Sequence, residues 1–217
     1  MLQWDFDAII SLCGRALQAR ADEADLEQSP LGLDALDELS IQPLLREAIA
    51  ASGYGVLAEQ RYPTFRSRHR LSEGDRCDIV LTARPGLVIG DRRTSETLFA
   101  DLVAAPEDAL WIEVKVIHQH HVSDGAGRAN PGYTGRFLRD VTADVRRLAG
   151  DSAIAAAGLI LVLFTASREI ADHDVQAWRE RAISRGLPVH APFQRRFDIA
   201  DRIGNAVCSM YLFPIGR

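Results

Sequence analysis

Trp111-Ile112-Glu113-Val114-Lys115-Val116 is the stretch from which the rest of the chain is best read. Strand periodicity places Trp111, Glu113 and Lys115 on one face and Ile112, Val114 and Val116 on the other. The second set is core-forming, so a strand over 109–118 carries a carboxylate and an ammonium side by side above a buried face. Lys115 is also the only lysine among 25 basic residues. Either cation serves on a solvated surface. A compact ammonium that can approach one water has no substitute in the forked guanidinium. The lone lysine therefore points to a residue kept for its chemistry.

Working outward, short segments rich in β-branched and aromatic residues, bounded by Gly, Pro or charges, predict strands over 56–62 and 77–83. Upstream, Ser40 reads as the N-cap of a helix over 41–52, with Pro43 in its first turn and Gly53 and Gly55 ending it. Downstream, Phe137, Leu138, Val141, Val145 and Leu148 form the inward stripe of a helix over 136–148. The apolar run 159–165 has the length of a central strand buried on both faces. A helix over 172–185 follows, and the better of the tail strands is 206–213. The order is α–β–β–β–α–β with α and β additions: an α/β domain with a mixed sheet flanked by helices. Residues 1–39 read as a helical extension, an amphipathic helix over 3–20 and an acidic connector closed by Ser29-Pro30. The domain proper is 40–217.

The strand over 77–83 begins with Asp78. If it pairs with the strand over 109–118, Asp78 comes to lie beside Glu113, with Cβ atoms about 5 Å apart. Two carboxylates that close repel unless one is protonated or a cation sits between them. A hard divalent ion with oxygen ligands resolves the conflict, and Mg²⁺ is content with a few carboxylates and waters. Asp101 and Asp108 are alternative first carboxylates, but both read as loop or surface acids, whereas Asp78 opens an apolar strand.

Asp78 followed by Glu113-x-Lys115 on the next strand, in an αβββαβ order, resembles the PD-(D/E)XK nuclease superfamily, the restriction-endonuclease-like fold. The likeness spans about residues 40–165 and is one of pattern; Cys77 stands where the family name has proline. The resemblance implies that Asp78 and Glu113 bind Mg²⁺, with Mn²⁺ a substitute, and that Lys115 orients or activates the attacking water. It also implies an acid from the first helix. Glu47 is the candidate, although it falls on the polar flank of that helix, and Glu59 on the following strand is a second.

Charge is uneven along the chain. Residues 1–47 hold ten acids against three arginines, within a net charge of −5. Arginines gather before the Asp78 strand (Arg61, Arg66, Arg68, Arg70, Arg76) and around the helix over 136–148 (Arg128, Arg136, Arg139, Arg146, Arg147). Such patches either follow a phosphate backbone or form a solvated face. On the first reading Arg68, Arg70, Arg76, Gln119, Arg128 and Tyr133 would contact substrate. His118, His120 and His121 begin a Gly-rich loop and are too few for a zinc site, so they read as loop polarity. Asp140, Asp144 and Arg147 read as an ion-paired solvated stripe.

Composition sets the remaining bounds. At 217 residues with 47% apolar and 25% charged residues, the chain has ordinary globular composition. Its longest apolar run is too short for a membrane span of about 20 residues. Three scattered cysteines and an acidic N-terminus without a leader pattern suggest reduced thiols and a cytoplasmic location. The reading is a metal-dependent nuclease acting on DNA, alone, as a homodimer or within a larger complex. The alternative is a non-catalytic binding or assembly subunit of a DNA defence or repair system.

Overall fold

The computed structural model describes residues 4–64, 76–90, 100–123 and 125–216. Its first half contains helices α1 (Phe6–Leu26) and α2 (Glu38–Ala50), strands β1 (Gly55–Arg61) and β2 (Arg76–Thr82), and the two-residue strands β3 (Val88–Ile89) and β4 (Val103–Ala104). Strand β5 (Leu110–His118) and a hairpin of β6 (His120–Ser123) and β7 (Ala126–Ala129) follow. Helix α3 (Tyr133–Gly150), strand β8 (Ala156–Thr165), helix α4 (Arg168–Ser184) and strands β9 (Phe193–Asp198) and β10 (Val207–Ile215) complete the chain.

Six strands form one mixed sheet in the order β1-β2-β5-β8-β10-β9. The meander β1-β2-β5 is antiparallel, β5 and β8 are parallel, and β8-β10-β9 is antiparallel again. The β5–β8 crossover runs through α3, as a parallel pair requires a long connection. β8 lies between β5 and β10, and apart from its first residue it is buried throughout. This is the signature of a strand covered on both faces. Along the main sheet, with the separate two-stranded sheets β3-β4 and β6-β7 set aside, the elements run α2-β1-β2-β5-α3-β8, an α/β arrangement.

Strand alternation divides the core into two clusters. On one face Trp111, Leu159, Leu161 and Leu163 pack with Phe137, Val141, Val145 and Leu148 of α3 and Trp178 of α4. On the other, Ile112, Val114, Ile160 and Val162 pack with Ile41, Leu45 and Ile49 of α2 and Ile9, Ile10, Cys13 and Leu17 of α1. The N-terminal helix therefore shares this core with the sheet. Cys13, Cys77 and Cys208 are buried free thiols. Among the described residues no helix is long and apolar enough to cross a membrane.

All four helices differ in their boundaries from the sequence reading: α3 extends beyond the expected 136–148 at both ends, and the other three shift for a tertiary or capping reason. α1 runs through the expected acidic connector to Leu26, and Arg202 holds its end, pairing with Asp25 at 2.7 Å and donating to the Ser29 carbonyl. α4 starts at Arg168 because the Ser167 hydroxyl accepts from Ile170 N. α2 starts three residues before the expected position: its N-cap is Asp37, whose carboxylate accepts from Ser40 N at 2.9 Å, so Ser40 is not the cap. Pro43 then lies inside the helix rather than in its first turn. This last shift has consequences for the site, because it places Glu38 in the first turn.

Candidate functional site

β2 and β5 pair only from Ile79↔Ile112 to Leu81↔Leu110. Asp78 would be the next rung. Its backbone leaves the ladder, and its side chain replaces the missing bond: Oδ2 accepts from Val114 N at 2.7 Å. Asp78 and Glu113 are thereby near enough for the charge of Asp78 to bear on the Glu113 carboxyl, as strand pairing predicts. Asp101 and Asp108 are exposed in short 3-10 turns, so neither competes for this place.

Glu113 is almost fully buried. Its Oε1 accepts from the Tyr62 hydroxyl at 2.5 Å and lies 3.8 Å from Arg147 Nη1. Burial first, then the charges of Asp144 and Asp78, push the Glu113 carboxyl up to about 9. At neutral pH, without a cation, that shift keeps a proton on it. Tyr62 is buried against Trp111 and stays a phenol, its pKa raised by burial and by the neighbouring negative groups.

Lys115 lies between the layers. Its Nζ is 3.0 Å from Glu38 Oε1 on α2 and 3.3 Å from Asp144 Oδ2 on α3. Glu38 also accepts from Val116 N at 3.2 Å through its second oxygen. Burial alone would lower the ammonium's pKa, but Asp144 and Glu38 outweigh it and the net shift is upward. Lys115 is therefore a fixed cation and hydrogen-bond donor, not a group that titrates near neutrality.

The stripe read as solvated divides in two. Asp140 is half-exposed, and Arg136 Nε approaches it only to 4.0 Å. Asp144 is buried, ion-paired with Arg147 as well as Lys115. A signal for this was present in the sequence. Asp144 falls among Phe137, Val141, Val145 and Leu148 at helical spacing, so an acid on that stripe has to face inward. Burial raises its pKa against the opposing pull of Lys115 and Arg147.

An N-cap at Ser40, as the sequence suggests, leaves Glu38 outside the helix; the available signal is an acid directly after an Asp cap, in the first turn. Glu47 is exposed. Nine residues along the helix from Glu38, it is displaced by about 14 Å and takes no part. Glu59 is exposed too, at a backbone φ of 51°.

The expected substrate contacts are dispersed. Arg68 and Arg70 lie outside the described residues. Arg76 is exposed at the start of β2, opposite Arg61. Arg128 is exposed on β7, opposite His121. Gln119 turns to structure: its Oε1 accepts from Ala166 N at 2.8 Å and its backbone N–H donates to Phe164. The Tyr133 hydroxyl donates to Asp174 at 2.7 Å in a separate cavity between α3 and α4, floored by Phe137 and Trp178.

An open cleft of about 300 Å³ exposes part of the cluster, with Glu38, Lys115, Arg136, Asp140, Asp144 and Arg147 on its walls. The wider cluster of Glu38, Asp78, Glu113 and Asp144 with Lys115 and Arg147 carries four acids against two cations. Its formal charge with every group ionised is −2. Protonation of Glu113 meets part of that imbalance, and a divalent cation would meet all of it. Asp144 Oδ2, ion-paired to Lys115, is buried without a hydrogen bond of good geometry. The donor set is hard oxygen, which suits Mg²⁺ or Mn²⁺. Among the described residues no three His, Cys, Asp or Glu groups stand together in ligating geometry. An ion would therefore rest on the Asp78–Glu113 pair and on waters, an arrangement Mg²⁺ accepts. No protein-family model, curated protein or solved structure significantly matches this chain.

Proposed function

We propose that this protein is a metal-dependent nuclease that hydrolyses phosphodiester bonds in DNA, with the αβββαβ core of the restriction-endonuclease-like fold. One observation carries the reading. Asp78, Glu113 and Lys115, from two strands, meet in a cluster whose acids outnumber its cations by the charge of one divalent ion.

Asp78 and Glu113 would hold Mg²⁺, and Mn²⁺ would substitute. When bound, the ion supplies charge opposite the scissile phosphate and lowers the pKa of a water. Glu113 must first lose its proton. Tyr62 and Arg147 then hold the resulting carboxylate in place. Lys115, kept protonated and aimed by Glu38 and Asp144, orients the attacking water and stabilises charge developing on the phosphate. Arg136, loosely paired at the cleft wall, is available for a flanking phosphate.

The test is cleavage of DNA oligonucleotides by the wild type, Asp78→Asn and Glu113→Gln, with Mg²⁺ or Mn²⁺ and with EDTA. Cleavage by the wild type alone, and only with metal, is expected. Activity that survives thorough chelation overturns the two-carboxylate mechanism. The second reading, a non-catalytic binding or assembly subunit, is favoured by the absence of a third ligand in geometry among the described residues. It wins if all three proteins bind DNA or a protein partner equally and none cuts any substrate.

A further inference from the structure

Two groups converge on one oxygen of Glu113. The Tyr62 hydroxyl donates to Oε1 at 2.5 Å, and Arg147 Nη1 stands 3.8 Å from the same atom. Asp78 is divided in the same way, its Oδ2 accepting from Val114 N at 2.7 Å. Each carboxylate of the pair thus has one oxygen engaged by the protein and offers the other to an ion. The two engagements differ in kind. Val114 N–H belongs to the backbone of β5, whereas the phenol is a side chain that substitution can remove.

Tyr62 is held where it is from several sides. It is fully buried, and its ring stacks on Trp111 with centroids 6.1 Å apart. Trp111 is itself fixed through Nε1, which donates to the Pro106 carbonyl at 3.0 Å. Two residues on, Thr64 donates to Asp151 Oδ2 through its backbone N–H at 3.1 Å and its hydroxyl at 2.8 Å. Asp151 is the buried C-cap of α3. Arg147 lies in the last turn of the same helix, paired with Asp144. The chain leaving β1 is therefore tied to the end of α3, and phenol and guanidinium reach Oε1 from segments fastened to each other. A cation seated on Oε1 would displace the one or stand against the charge of the other.

We infer that Tyr62 is a specificity-determining residue: by engaging Oε1 it restricts Glu113 to one-oxygen coordination, and so selects a small octahedral ion over Ca²⁺. The inference rests on the metal site of the nuclease reading and adds ion selectivity to it. Mg²⁺ demands near-ideal octahedral geometry and is satisfied by one or two carboxylates and several waters. Mn²⁺ shares the octahedral oxygen preference. Ca²⁺ takes about six to eight oxygens in a looser shell, often by gripping a carboxylate through both of its oxygens. A Glu113 that keeps one oxygen on Tyr62 denies Ca²⁺ that grip.

Tyr62→Phe keeps the ring against Trp111 and deletes only the hydroxyl. Titration calorimetry of metal-stripped wild type and variant, with Mn²⁺ and Ca²⁺ separately, tests the inference without turnover. The wild type should bind Mn²⁺ more tightly than Ca²⁺. Tyr62→Phe should lose at least about tenfold of that preference, the low end of what outer-shell partners of metal ligands contribute, by binding Mn²⁺ more weakly and Ca²⁺ more tightly. A variant that merely loosens the site weakens both ions alike, and an unchanged ratio overturns the inference. If Tyr62→Phe does not fold, Arg147→Gln removes the guanidinium from the same oxygen; the ratio should then move in the same direction, and an unmoved one is equally fatal. Binding undiminished in Glu113→Gln, or absent in the wild type, also overturns it. Cleavage of a DNA oligonucleotide by the wild type with Mg²⁺ is scored separately. Cleavage with an unmoved ratio removes the Tyr62 assignment and leaves the nuclease reading standing. A moved ratio in a protein that cuts nothing does the reverse.

Discussion

The carboxylate of Glu38, in the first turn of α2, stands 3.0 Å from the ammonium of Lys115 on β5. Its second oxygen accepts from the backbone of the very next residue, Val116. The contact fastens one helix to the strand that carries the candidate chemistry, and Asp144 fastens the opposite helix to the same nitrogen. Lys115 is therefore at once part of the site and part of what holds the layers around it.

Lys115→Arg tests both parts. On an open strand face the substitution would leave stability nearly unchanged. Here the side chain is only 20% exposed between two acids, and the longer fork should cost about 1–3 kcal/mol by overpacking. Lys115→Met, which strands Glu38 and Asp144, should cost about 3–5 kcal/mol. Turnover by Lys115→Arg should fall at least about 100-fold, the range of a positioned electrostatic group. Melting curves beside single-turnover cleavage rates decide it, and unchanged cleavage by the arginine variant removes the assignment.

Metal should be visible without catalysis. A divalent ion at about 100 times its dissociation constant stabilises the native state by about 2.7 kcal/mol. For a domain of this size that raises Tm by roughly 5–10 °C. Differential scanning fluorimetry with Mn²⁺ and Mg²⁺ should show the rise in wild type and lose it in Asp78→Asn and Glu113→Gln. An equal rise in all three proteins would place the ion elsewhere.

The proton on Glu113 has a pH signature in chelator. Its pKa goes from about 4.5 to about 9 on folding, so the native state keeps a proton that the unfolded chain gives up. Stability from this group is complete below 4.5 and is lost as pH rises towards 9. Glu113→Gln should flatten that decline in denaturant titrations. A wild-type slope identical to that of the variant would show that the carboxyl ionises freely.

His118 works in the opposite sense. Burial, which outweighs an opposing pull from the Leu36 carbonyl, lowers its pKa from 6.5 to about 4. The native state therefore resists a proton that the unfolded chain binds, and stability is lost as pH falls from 6.5 towards 4. His118→Phe keeps a ring against Phe164 and cannot titrate. Its stability should be the less acid-sensitive of the two across that window, and equal acid limbs would refute the placement.

Much of the architecture was legible in the sequence because strand and helix periodicities are local. Alternation in 111–116 and the stripe Phe137–Val141–Val145 are set by which side chains must leave water, and both elements formed where expected. The proximity of Asp78 and Glu113 followed from the pairing of adjacent strands. Glu38 did not, because its place depends on an N-cap at Asp37 and on a cation brought to it from β5 by the closed sheet. Asp144 was written into an apolar stripe, yet its partners Lys115 and Arg147 decide that it is buried as a charged pair rather than expelled. The upward shift of Lys115 and the proton on Glu113 were likewise beyond the sequence. They are sums of burial and of charges contributed by separate elements, and such sums exist only once those elements have packed.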